Sequence, residues 1–170
     1  IVNKIVDLAL VEGDGTNGFK SIDKETDAKK IKKITTKAKA AGKTPFADAI
    51  EEAVDFVRPT AGRRYLIVKA EDRKALLDEL RQATANANVR IKNDDAEIAS
   101  EVGVDEIIVY TGTKAVKPTV LVDQKYHIDM QDLTKVDAFE WKTNSNMILV
   151  ETLTSGHVET YNAGAVITVA

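Results

Sequence analysis

The fold is decided by residues 44–83, which read TPFADAIEEAVDFVRPTAGRRYLIVKAEDRKALLDELRQA. Thr44-Pro45 is typical of a helix start, because threonine favours the N-cap and proline tolerates the first helical position. The apolar residues that follow recur every three or four positions, so we expect an amphipathic helix that the second proline ends. The pattern then changes to a β-type run in residues 65–68 and returns to helical spacing in residues 71–83. This succession predicts helices packed on a small sheet.

Two segments precede this region. Residues 1–11 carry apolar side chains at helical spacing and predict an opening helix, which the glycines of residues 13–18 (GDGTNG) should end. Residues 24–43 contain eight lysines and predict a polar loop that runs into a partly exposed helix.

Beyond residue 83 the predicted elements are shorter and then change type. They are a strand at residues 89–91, a helix at 94–102 and a strand at 106–110. Asn93 or Asp94 would cap this helix and Gly103 would end it. Later only β-type runs follow, at residues 120–122, 126–128, 136–142, 147–154, 157–161 and 165–169. The sequence therefore predicts an α+β fold whose last third is rich in strands.

Composition narrows the class of protein. The 170 residues are 44% hydrophobic but only 5% aromatic, which predicts an aliphatic core. The net charge of −3 disfavours a dedicated nucleic-acid-binding protein. The absence of cysteine excludes disulfides and thiolate chemistry. No signal peptide opens the chain, so we expect a cytoplasmic origin. The apolar helical repeat of residues 1–11 is already under way at Ile1, so we expect an N-terminal part to precede it.

The sequence contains no group of residues at the spacing typical of a catalytic or metal-binding motif. His127 and His157 lie thirty positions apart, and we expect a structural or surface role for both because neither has a local partner. The glycine-rich turn has the glycine spacing of a phosphate-binding loop, but Phe19 stands where that loop needs a lysine. Asp14 is therefore expected to form a turn.

Acidic and aromatic residues also have simple structural interpretations. Asp94, Asp95 and Glu97 could bind Mg²⁺ or Ca²⁺, but carboxylates are also favourable at a helix N-terminus. Trp141 lies in an alternating apolar and charged run, which places it in a core or an interface. We expect no catalytic, cofactor-binding or metal-binding residue and no cofactor, and thus a protein that is not an enzyme.

The order of these features resembles the major capsid proteins of tailed bacteriophages, which have the Hong Kong 97-type fold. Residues 8–19 (LALVEGDGTNGF) are similar to the family's turn after its long spine helix. Residues 45–83 resemble part of its axial domain. Residues 139–144 (FEWKTN), which lead into residues 147–152 (MILVET), are similar to its closing peripheral strands. The resemblance spans nearly the whole chain, although none of these motifs is diagnostic alone.

The resemblance implies an α+β protein with an α/β axial domain and a β-rich peripheral part. The implied division is residues 1–21 for the spine-helix end and turn, 22–135 for the axial domain and 136–170 for the closing strands. It also implies a structural head subunit that forms pentamers and hexamers around double-stranded DNA. Scaffolding and portal proteins would be further partners, and no membrane is involved. Such a subunit assembles in the cytoplasm of the bacterial host and resides in the virion.

Some family elements have no counterpart before Ile1, namely the N-terminal arm, the extended loop and the first part of the spine helix. We therefore expect this chain not to build shells by itself. Some members cross-link a lysine of that loop to an asparagine of the late strands. Asn146 falls roughly there, but the lysine is missing from this chain and no matching glutamate is evident. The alternatives are an encapsulin-like shell protein, a small-molecule-binding α/β enzyme domain and a polymeric tail or adhesion protein.

Overall fold

The computed structural model describes residues 2–16, 18–140 and 145–170, and the side chains of residues 4–16, 18–128 and 155–170. It contains, in chain order, α1 (Val2–Asp7) continued by a π-helical turn (Leu8–Glu12), β1 (Ile31–Thr35), α2 (Pro45–Val57), β2 (Arg64–Lys69), α3 (Ala70–Ala83), a 3-10 turn (Ala85–Ala87), α4 (Asp95–Val102), β3 (Glu106–Tyr110), β4 (Thr119–Val122), β5 (Tyr126–Glu140), β6 (Ser145–Val158) and β7 (Gly164–Thr168). The expected mixture of helices and strands is confirmed.

Five strands form one mixed sheet in the order β1-β7-β4-β2-β3. β1 is parallel to β7 and β2 is parallel to β3, while β4 is antiparallel to both β7 and β2. The last strand of the chain thus lies inside the sheet, next to the first. The resemblance implied an axial domain of residues 22–135 and closing strands in residues 136–170. The sheet combines strands of the first range with β7 from the second.

Helices α2, α3 and α4 cover one face of this sheet. α2 begins at Pro45, as predicted, and its fully buried residues Ile50, Ala53 and Val57 repeat at helical spacing. β2 contributes Leu66 and Val68 to the same core, because alternate residues of a strand share one face. This helical layer is the part of the fold that residues 44–83 predicted.

The opposite face is covered by the start of the chain. Leu10, Ile22 and Ile31 form a second buried cluster with Val158 and Val166. The predicted opening helix is confirmed within the described residues, and it ends in a π-helical turn at Glu12. The helices therefore cover one face of the sheet, and the N-terminal segment covers part of the other, where Ile108 of β3 is 42% exposed.

Strands β5 and β6 form a separate two-stranded antiparallel hairpin with 15 and 14 residues. Pairing runs from Tyr126 opposite Val158 to Glu140 opposite Ser145, with an irregularity between Val136 and Ala138. At roughly 3.3 Å per residue the hairpin is about 45 Å long. The sequence predicted four shorter β-type runs here, and their β character is confirmed in residues 126–128, 136–140, 147–154 and 157–158. The expected turns at residues 129–135 and 155–156 are wrong, because an antiparallel ribbon tolerates the polar residues that suggested them.

Two further predictions of local structure are wrong. The expected helix within residues 24–43 is absent, because Ile31–Thr35 forms β1 and pairs with β7, and this tertiary pairing outweighs the helical spacing. Residues 89–91 form no strand. Ile91 is instead buried in the helical layer, where its carbonyl oxygen accepts a hydrogen bond from Arg81 Nε at 2.9 Å.

Candidate functional site

The two histidines lie side by side, although they are remote in sequence. His127 on β5 is directly opposite His157 on β6. His157 Nε2 lies 2.9 Å from Glu159 Oε1, and His127 Nε2 lies 4.0 Å from Glu159 Oε2. The expectation that neither histidine has a partner is wrong, because strand pairing brings them to one carboxylate. All three side chains are more than one-third exposed, in agreement with the expected surface role.

The two histidines and Glu159 do not form a metal centre with a further ligand among the described residues. Across the residues that the structure describes, no group of three or more histidine, aspartate or glutamate side chains is arranged to hold a metal ion. Asp95 instead accepts a hydrogen bond from Arg73 Nε at 2.5 Å, which ties the start of α4 to α3. Asp94 occupies the N-cap position of α4 without a side-chain capping bond, and Gly103 ends the helix at a φ of 78°. The helix-start interpretation of this acidic group is therefore the one the contacts support.

The glycine-rich segment is a turn, as predicted. Asp14 Oδ1 accepts a hydrogen bond from the Thr16 N–H at 2.8 Å, which holds the pKa of Asp14 below its ordinary value. Phe19, at the lysine position of a phosphate-binding loop, is buried with 6% of its surface exposed. This side chain serves packing, so the position that a phosphate-binding loop gives to lysine carries no charge. Trp141, the other aromatic residue singled out, lies outside the described residues, as does the side chain of Asn146.

The hairpin is fixed to the body at a site that we call the hairpin root, formed by Phe19, Tyr126 and Gly156. Gly156 donates its N–H to Gly18 O at 3.0 Å and accepts from Lys20 N at 2.8 Å, so the glycine-rich turn pairs with β6. A Cβ atom at Gly156 would lie 2.8 Å from ring carbons of both aromatic residues. Tyr126 donates its hydroxyl hydrogen to Lys20 O at 3.1 Å, and burial raises its pKa to about 12. Glycine is therefore the residue that fits at position 156 between the two aromatic rings without displacing them.

The end of the opening helix is fixed by ionic contacts. Glu12 accepts hydrogen bonds from Lys114 and Lys4, each at 2.5 Å, and these two lysines lower the pKa of the Glu12 carboxyl to about 2. The Tyr110 hydroxyl donates to Asp7. These contacts hold the first helix against β3 and the residues that follow it.

A buried carboxylate joins two helices of the opposite layer. Glu79 on α3 is only 6% exposed, and its Oε1 accepts hydrogen bonds from Phe46 N at 3.0 Å and Ala47 N at 2.9 Å. These donors belong to the first turn of α2, whose N–H groups have no partner within the helix. Sequence reasoning missed this contact. The only signal was that Glu79 shares a helical face with Leu76 and Leu80.

Two open grooves on the described surface carry several charged side chains each. One of about 590 Å³ follows residues 23–33, and one of about 360 Å³ lies between the ends of α2 and α4. Among the described residues, no helix is both long enough and apolar enough to cross a membrane. The fold is that of an α+β protein with a five-stranded sheet and a long antiparallel hairpin. Apolar packing and ion pairs hold its elements together.

Comparison with known proteins finds relatives of high sequence identity but no matching family model. Over all 170 residues it is 95% identical to proteins named capsid protein in Lactococcus phage p2 and in Lactococcus phage SK1. The chain spans 43% of the length of each of these relatives. Both relatives are named as phage capsid proteins, which agrees with the location in the virion that the resemblance implied.

Proposed function

We propose that this chain is part of the major capsid subunit of a tailed-phage head, a structural protein with the Hong Kong 97-type fold. The observation that carries the proposal is the 95% identity over the whole chain with capsid proteins of two Lactococcus phages. In this role the chain binds copies of itself in pentamers and hexamers and encloses double-stranded DNA. Scaffolding and portal proteins are its further partners.

The proposed division into domains follows the resemblance with two changes: the hairpin, which begins at Tyr126 within the implied axial range 22–135, is assigned to the peripheral part, and residues 164–168 are assigned to the axial domain. Residues 1–21 are the spine-helix end and its turn, and the five-stranded sheet with α2, α3 and α4 is the axial domain. The hairpin β5–β6 takes the place of the peripheral strands. Because β7 lies between β1 and β4, we assign residues 164–168 to the axial domain and not to the peripheral part.

Contacts between elements support a structural role. Glu12 and Tyr126, whose pKa values are shifted, both hold one element against another, while Glu25 and Lys33, whose pKa values are both lowered, line the open groove along residues 23–33. The chain carries a hairpin about 45 Å long, estimated at roughly 3.3 Å per residue, which is well suited to contacts with neighbouring molecules. The proposed function depends on the surfaces that contact other subunits.

The experiment compares a complete capsid protein carrying this chain with the 170-residue chain alone. Sedimentation and negative-stain images should show closed particles for the complete protein and dispersed molecules for the 170-residue chain. Helical tubes from the complete protein would indicate a tail protein instead. A thermal shift caused by a nucleotide or metal would favour an enzyme domain, because a ligand specific for the native state raises its stability.

A further inference from the structure

The lysine-rich stretch singled out in the sequence ends in a surface feature that no contact described above uses. We call residues 37–43 (KAKAAGK) the lysine loop, and all seven of its residues are exposed. The loop connects β1 to α2 and is held at its start by Thr36, whose N–H donates to Thr168 O at 2.9 Å. Within the described residues, Lys37, Lys39 and Lys43 form no ion pair. The loop therefore exposes three lysine side chains that are separated only by alanine and glycine.

A surface of opposite charge lies at the far end of α2. We call it the acidic groove, the depression of about 360 Å³ between the end of α2 and the end of α4. Glu51, Asp55 and Glu101 line it, above an apolar floor that includes Val54 and Val102. Asp55 pairs with Arg58 at 2.5 Å. Glu51 and Glu101 make no ion pair in the part of the chain that the structure describes, so their charge is available to a partner.

The loop and the groove of one molecule lie at different places along α2. The loop ends where this 13-residue helix begins, and the groove is lined by the second half of the helix, from Glu51 to Arg58. At roughly 1.5 Å per residue these groove residues lie about 9–20 Å along the axis from the helix start. Each copy thus carries cations at the start of α2 and an anionic depression along its second half, an arrangement suited to head-to-tail association.

We propose that the lysine loop of one copy docks in the acidic groove of a second copy, in a head-to-tail contact between neighbouring subunits. Heterologous contacts of this kind close into rings when the rotation between subunits permits, which suits pentamers and hexamers. The inference thus rests on the proposed function and names one interface within it. Complementary charges of this kind speed the encounter of subunits and reject wrong pairings, and salt weakens them.

Charge reversal in the complete capsid protein tests the contact. K37E/K39E/K43E and E51K/E101K, made separately, should each lower the yield of closed particles by about tenfold or more, because opposed like charges cost several kcal/mol. All five substitutions together should restore the yield. The control K74E/K92E reverses two exposed lysines on another part of the surface and should assemble normally.

The outcomes separate this inference from the proposed function. If the unaltered protein forms no particles, the proposed function fails. If it assembles and the loop variant assembles equally well, the docking contact is wrong. A defect of the loop variant in DNA retention alone, with a normal groove variant, assigns the loop to nucleic acid and also overturns the contact.

A covalent test decides the matter if a charge variant fails to fold. These 170 residues contain no cysteine, so A41C and S100C place one thiol on the loop and one at the groove, and any cysteine in the rest of the complete protein is first replaced by serine. In assembled particles the double variant should form disulfide-linked multimers under mild oxidation, whereas each single variant should not. Particles of the double variant that remain monomeric on non-reducing gels would overturn the contact.

Discussion

Replacing Glu79 by alanine should destabilise the protein more than any other single change to a charged residue of the helical layer. The substitution removes the acceptor of the Phe46 and Ala47 N–H groups at 3.0 and 2.9 Å, and both donors lie in buried residues. Hydrogen bonds to a charged group contribute about 1.5–3 kcal/mol each. Relief of the desolvation of the carboxylate offsets part of this loss. We expect a net cost of about 2–4 kcal/mol, as for a lost helix cap in a buried setting.

Urea denaturation followed by circular dichroism measures this cost. The midpoint should fall with an unchanged slope, since the substitution leaves the surface exposed on unfolding nearly the same. Asp78→Ala is the matched control, because Asp78 is the exposed neighbour on α3 and should change stability by less than about 0.5 kcal/mol. Glu79→Gln keeps one acceptor oxygen and should fall between the two. If Glu79→Ala and Asp78→Ala have the same midpoint, the buried carboxylate does not hold α2 in place.

Three other predictions concern the hairpin root and the end of the opening helix. Gly156→Ala should cost about 1–3 kcal/mol through overpacking, since its Cβ would lie 2.8 Å from the rings of Phe19 and Tyr126; a denaturation midpoint equal to the unaltered protein's would contradict this. Glu12 has a pKa lowered from 4.5 to about 2, so its ion pairs stabilise the fold above pH 4.5 and lose their effect as the pH falls toward 2. Glu12→Gln should therefore reduce the pH dependence of the denaturation midpoint in that window, and an unchanged dependence would argue against the contact. Burial raises the pKa of Tyr126 from 10.0 to about 12, so stability should fall as the pH rises between these values; Tyr126→Phe should remove the late step of a tyrosinate absorbance titration, and persistence of that step would assign it to another tyrosine.

The elements that the sequence predicted are those with strong local signals. α2 carries a proline at its first position and a regular apolar repeat, and α4 ends at a glycine with positive φ. These features act within a few residues, so they are legible without knowledge of the fold. β2, β3 and β4 were predicted from short apolar runs for the same reason.

What the sequence did not predict depends on residues that are distant along the chain. β1 exists because Ile31 pairs opposite Gly164, and the single long hairpin depends on register between strands that each contain polar residues. The contact of Glu79 with Phe46 and the sharing of Glu159 by two histidines likewise arise only after folding. No local pattern marks such contacts, because the two partners lie far apart in sequence or, for Glu79 and Glu159, belong to a residue type that is ordinarily exposed.

We propose that this chain forms a repeating part of a phage shell, and cryo-electron microscopy of particles from the complete capsid protein would show whether it does. We predict closed shells in which every subunit contains the five-stranded sheet with its three helices and the β5–β6 hairpin. Particles whose repeating density has no place for this sheet and hairpin would contradict the claim, as would a complete protein that forms only helical tubes.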